Sequence, residues 1–116
     1  WTLPPEPPQQ FENLVASHLL KWVHFQQDTA GRDLELRYFR DKDGREVDFV
    51  VTERSKVILA VECKWRSQSL DKNLRYLVTR SSPEQAWQVS ALGEKDFLTP
   101  EGIRVAPATK LLAQLV

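Results

Sequence analysis

Two stretches decide the fold: Glu46-Val47-Asp48-Phe49-Val50-Val51-Thr52 and, after a short break, Val57-Ile58-Leu59-Ala60-Val61-Glu62-Cys63-Lys64-Trp65. Both are rich in β-branched side chains and almost continuously apolar, which predicts central strands covered on both faces. Asp48, Glu62 and Lys64 interrupt them. Removing a charge from water costs several kcal/mol unless it is paired or bound to metal, so these three are expected to share a site. Alternation along a strand sends Glu62 and Lys64 to one face and Val61, Cys63 and Trp65 to the other. Asp48 lies across a hairpin around Glu53 to Lys56. A three-residue loop, Arg54 to Lys56, sets Asp48 directly opposite Glu62. A two-residue loop sets it opposite Val61 unless a bulge intervenes.

Outward from this hairpin the pattern changes. From Gln9 to Gln27, Phe11, Leu14, Val15, His18, Leu19, Trp22 and Val23 recur at the spacing of one helical face, and Pro8 suits a first helical turn. Leu34 to Arg40 alternates like a strand exposed on one face, and Lys42-Asp43-Gly44 makes a turn. Ser69 or Asp71 caps a helix reaching about Arg80, with Leu70, Leu74, Leu77 and Val78 on its inner side. Ala86 to Leu92 and Gly102 to Ala106 read as short strands, and Pro107 opens a last helix carrying Leu111, Leu112, Leu115 and Val116. The order αβββαββα predicts an α/β domain with one mixed central sheet flanked by helices.

With 116 residues the chain fits one domain that buries roughly 65% of its unfolded surface, so its core needs neither disulfide nor structural metal. Its single cysteine excludes an internal disulfide and a multi-cysteine zinc site. The apolar runs are far shorter than the roughly 20 residues that span a bilayer, and no signal peptide is legible. The reading is therefore cytosolic, without a membrane. Residues 1–8, with Trp1 in place of Met and the run Leu3-Pro4-Pro5-Glu6-Pro7-Pro8, have the stiffness of an interdomain linker. That makes 9–116 the folded domain of a longer polypeptide.

Sixteen acidic and sixteen basic side chains cancel, so any affinity for nucleic acid must come from a local patch. Lys64, Arg66, Lys72, Arg75 and Arg80 face Asp71 alone in one such stretch. Arg66, Lys72 and Arg75 could track a phosphate backbone there, or form an ordinary solvated helix face. His18 reads as a hydrogen-bonded core residue and the Cys63 thiol as a small buried hydrophobe.

Two carboxylates about 4 Å apart repel by roughly 4 kcal/mol at an effective dielectric near 20. A hard divalent cation, Mg²⁺ or Mn²⁺, relieves this, with Asp48, Glu62 and the Cys63 backbone carbonyl as its protein ligands. Such an ion acidifies water and stabilises charge on a phosphate, while the Lys64 ammonium orients the nucleophile or neutralises the pentavalent state. The reaction this fits is phosphodiester hydrolysis. A structural cluster, with the lysine neutralising two buried acids, is the competing reading.

Asp48, then thirteen residues, then Glu62-Cys63-Lys64 on an apolar strand, preceded by a helix bearing Glu12, resembles the PD-(D/E)xK nuclease superfamily with its αβββαβ core. Phe11-Glu12-Asn13-Leu14-Val15, Arg37 to Arg40, the run Lys42 to Val50 and Val61 to Trp65 resemble the nuclease-like domain that follows the ATPase core of many bacterial and archaeal AAA-type ATPases. The resemblance implies a restriction-endonuclease-like fold, Asp48 and Glu62 as metal ligands, Lys64 as the catalytic lysine, and Glu12 as an auxiliary acid. It also implies an ATPase core in the same polypeptide. Val47 stands where the motif is named for proline, Gln68 and Tyr76 miss the Gln-x-x-x-Tyr spacing of RecB-like nucleases, and no Gly-x-x-x-x-Gly-Lys-Ser/Thr loop is present, so this chain should not hydrolyse ATP. The alternative function is a non-catalytic module that docks DNA or protein for the attached ATPase.

Overall fold

The computed structural model of the chain describes residues 6–116. Helix α1 spans Pro7–Ala30, followed by β1 (Leu34–Arg40), β2 (Glu46–Glu53), β3 (Lys56–Lys64), α2 (Lys72–Ser81), β4 (Gln85–Ser90), β5 (Phe97–Leu98), β6 (Ile103–Pro107) and α3 (Ala108–Gln114). The six strands form one mixed sheet in the order β1-β2-β3-β4-β6-β5. The β1-β2-β3 meander is antiparallel, whereas β3, β4 and β6 run parallel. The α/β architecture with helices flanking a mixed sheet is therefore as the periodicity implies.

Two cores sandwich the sheet. On one face α1 and α3 bury Phe11, Val15, Leu19, Val23 and Leu111 against Val61, Cys63, Trp87 and Val89. On the other, Leu74, Leu77 and Val78 of α2 cover Val47, Val50, Ala60, Ala86 and Ile103. Full burial of one such leucine is worth about 1.5–3 kcal/mol, and Leu19, Leu34, Leu74 and Leu111 are all buried completely.

Helix α1 begins two residues before the predicted Gln9, because Pro7 and Pro8 occupy first-turn positions where a missing N–H costs nothing. The C-terminal end of the proposed linker is thus helical, and residues 1–5 lie outside the described residues. Leu14, expected on the inner face, is 47% exposed. His18 is only half-buried, and its Nδ1 lies 3.0 Å from its own helix's Leu14 carbonyl. Gly31 takes the left-handed conformation (φ 64°) that ends α1.

The β1–β2 turn depends on Gly44 at φ 82°. A Cβ at Gly44 would meet no atom within 4 Å, so substitution there is penalised by the backbone alone. Gly44→Ala is accordingly expected to cost about 1 kcal/mol and lower Tm by a few degrees in a thermal melt.

The β2–β3 hairpin settles the register. Its loop is the two residues Arg54 and Ser55, both at positive φ (51° and 71°), as a type I′ turn requires. Glu53 pairs with Lys56 and Thr52 with Val57, a register that would carry Asp48 to Val61. Between Val51 and Thr52 the register shifts, leaving Ile58 as the extra residue of a bulge, so that Val51 pairs with Leu59 and Phe49 with Val61. Continued by one residue, that ladder sets Asp48 opposite Glu62.

Candidate active site

The parallel strands β3 and β4 end together, with Lys64 beside Ser90 in register. Ligands of open α/β sheets bind outside such carboxyl ends. At this edge β2 carries a second irregularity. Between the pairs Arg37–Val50 and Phe39–Val47, β2 uses one residue more than β1, and this bulge lies at Asp48. Bulges re-aim side chains, and here Asp48 turns into the fork between β2 and β3. Its main-chain N–H donates to Glu62 Oε1 (3.0 Å), while the Cys63 N–H donates to Asp48 Oδ2 (2.9 Å). Glu62 thus holds the Asp48 amide, and Asp48 holds the amide that follows Glu62.

Lys64 Nζ lies 3.2 Å from Glu62 Oε2 and 2.7 Å from Asp71 Oδ2. From the opposite layer, the Glu12 carboxyl shares a hydrogen bond with that of Asp48. The structure thus brings together Glu12, Asp48, Glu62 and Lys64. Because α1 starts at Pro7, Glu12 lies beyond the first turn, where the helix dipole would favour its ionised form. The Lys64 carbonyl accepts from Ala91 N–H on the β4 side. The Cys63 carbonyl alternates towards the β2 side, the edge that Asp48 occupies. The Cys63 thiol is turned into the α1-side core, where burial, reinforced by the Asp48 charge, drives its pKa upwards.

Four carboxyls therefore surround one ammonium, and the charge imbalance shows in their acidities. Burial, followed by the Asp48 charge, pushes Glu62 up to about 7. Burial also raises Asp48, against the pull of the Cys63 N–H and Lys64. Glu12 rises through burial and then its contact with Asp48. For Lys64, burial works downwards but Asp71 and Glu62 together outweigh it, so its pKa is raised and the amine stays charged. Asp71 resists its own burial through Lys64 and two helix amides and is lowered. The set holds three carboxyls more than it holds ammonium groups, and three of its acids, Glu12, Asp48 and Glu62, have raised pKa values. Among the described residues no three His, Cys, Asp or Glu side chains form a ready cation cage.

Two further residues belong to this network, Asp71 in a role beyond the cap expected of it and Gln88 with no charge to mark it. Asp71 is the N-cap of α2, its Oδ1 accepting from Asn73 and Leu74 N–H, and it also partners Lys64 through Oδ2. Gln88, 2% exposed, is the parallel partner of Glu62 on β4. A polar side chain between Trp87 and Val89 was the available signal.

The basic stretch divides. Arg66 and Lys72 are exposed and, among the described residues, have no ion-pair partner. Arg75 is exposed as well, and its guanidinium pairs with Glu101 at 2.8 Å. Arg45 and Arg80 instead lie over the Tyr76 ring, 4.0 and 4.7 Å from its centroid. Asp43, Gly44, Arg45, Lys72, Asn73 and Tyr76 line an open groove of about 600 Å³ beside the start of α2.

Residues 9–111 match a family described as a domain of unknown function, DUF4143. The chain belongs to the DUF4143 family. No curated protein and no solved structure matches it. The match covers every element of this DUF4143 domain from within α1 into α3, so Glu12, Asp48, Glu62, Lys64 and Asp71 all fall inside the family segment. None of its described helices is long and apolar enough to cross a membrane.

Proposed function

We propose that this domain is a nuclease-like unit of the PD-(D/E)xK kind that hydrolyses phosphodiester bonds of nucleic acid with Mg²⁺ or Mn²⁺, in the cytoplasm, attached to an ATPase core. DUF4143 domains typically lie C-terminal to AAA-type ATPases. The observation that carries the reading is the surplus of carboxyls over ammonium at the carboxyl edge of the parallel strands.

The donor set suits a hard divalent ion. Mg²⁺ takes one or two carboxylates and keeps several waters, so a complete protein cage is not required. Asp48, Glu62 and the Cys63 carbonyl would hold the ion, and their surplus negative charge is what it would compensate. When bound, it would supply an acidified water and a positive charge beside the scissile phosphate. The residues themselves orient and neutralise: Lys64, fixed at the site's edge, offers an ammonium to the non-bridging phosphate oxygen, where charge grows as water attacks. Glu12 adds a carboxyl able to hold or release a proton next to Asp48.

The test is direct. Single- and double-stranded DNA are incubated with the chain in Mg²⁺ or Mn²⁺, and binding of the ion alone is followed by calorimetry. Cleavage that disappears in Asp48→Asn supports the proposal. Absence of cleavage overturns it, and absence of metal binding as well leaves the docking module for DNA or protein.

Binding has its own signature. Lys72 is unpaired and borders the groove, so Lys72→Ala is expected to lower the slope of log K against log salt by about 1. Arg75→Ala should lower that slope less, since Arg75 is paired with Glu101. Fluorescence anisotropy over a salt series distinguishes the two.

A further inference from the structure

We propose that Asp71 and Gln88 are positioning residues for the Lys64 ammonium, an inference that rests on the phosphodiesterase reading for the reaction it serves. An ammonium on a four-carbon stem has many rotamers, and a useful one must be held in place. Among the described residues Lys64 is the one lysine with an ion-pair partner, and its shorter contact, 2.7 Å, is to Asp71 rather than to Glu62. Asp71 is itself immobilised twice. Its Oδ1 accepts from the Asn73 and Leu74 amides at 2.8 and 3.2 Å, and its main-chain N–H donates to Gln88 Oε1 at 2.7 Å.

Gln88 completes the frame. Its Nε2 donates to the carbonyls of Gln68 (3.3 Å) and Ser69 (3.1 Å), so one buried amide fixes the whole turn from residue 68 to 71. An apolar side chain would fit this position on β4 without needing partners, whereas an amide there must find them all. Because Gln88 pairs in register with Glu62, the β3–β4 contact that places one acid beside Lys64 also places the other.

Helix capping and lysine positioning can be separated. Serine caps helices about as well as aspartate but is too short and uncharged to hold Lys64, while Asp71→Asn keeps the cap and removes the charge. With lysine side chains labelled at 15Nζ, the parent chain is expected to show one exchange-protected ammonium among its seven lysines, absent in Lys64→Ala. Asp71→Ser, Asp71→Asn and Gln88→Leu should lose that signal. In DNA cleavage with Mg²⁺, the two Asp71 variants should lower kcat at least tenfold with KM unchanged and Tm within a few degrees of the parent. Asp71→Ser added to Lys64→Ala should bring no further loss. Persistence of the protected ammonium in both Asp71 variants, or an unchanged kcat, overturns the proposal. If the parent does not cleave DNA, the phosphodiesterase reading fails, and loss or persistence of the ammonium signal still decides what holds Lys64.

Discussion

Lys64→Ala is expected to reduce metal-dependent DNA cleavage by about a thousandfold while the chain remains folded. The amine is the single cation among Glu12, Asp48, Glu62 and Asp71, so its loss removes the positive charge available to a developing phosphorane without opening the sheet. The cost in stability is moderated by the surroundings. Glu62 can take up a proton, and Asp71 keeps its two helix amides as partners. Single-turnover cleavage measured beside a thermal melt separates the roles: a purely structural lysine would lower Tm in a parent that shows no cleavage.

The second large effect is on stability against pH. Glu62 has a pKa near 4.5 when the chain is unfolded and about 7 in the fold, so between these values the folded state keeps a proton that the unfolded state has released. Stability then falls as pH rises through this window, with an upper limit of about 3 kcal/mol for this one group. Asp48 and Glu12 are raised as well and act in the same sense. Asp71 is lowered and acts oppositely, in the acid range below the ordinary aspartate pKa. The metal-free chain should therefore melt at a higher temperature at pH 5.5 than at pH 8. Glu62→Gln keeps an acceptor for the Asp48 N–H and should flatten most of that dependence. Mg²⁺ added at pH 8 should restore Tm in the parent. A melting temperature that climbs from pH 5.5 to 8 would contradict the charge imbalance inferred for the site.

Much of this site is legible because burying a charge is expensive. Asp48, Glu62 and Lys64 stand out against apolar neighbours, and strand alternation alone assigns Glu62 and Lys64 to one face. Their register is not legible in the same way. Arg54-Ser55 lacks the Asn-Gly signature of a type I′ turn, and neither bulge leaves a mark on the apolar run. Strand β5 escapes because two residues, Phe97 and Leu98, are too few for a period, and both are exposed at the sheet edge. Arg75 shows the limit of counting local charge, since its ion-pair partner Glu101 comes from the distant turn before β6. Asp71 was legible as a cap but not as a partner of Lys64, because a cap is a local property and the ion pair crosses between elements.

The Ile58 bulge absorbs a length mismatch. A chain one residue shorter at that point would run an unbroken ladder from the hairpin tip and still face Asp48 with the same glutamate. The pairing of Asp48 with Glu62 thus survives the loss of that one residue, at the expense of one buried isoleucine. The irregularity at Asp48 offers no such tolerance, since losing a residue there would rotate the aspartate out of the fork.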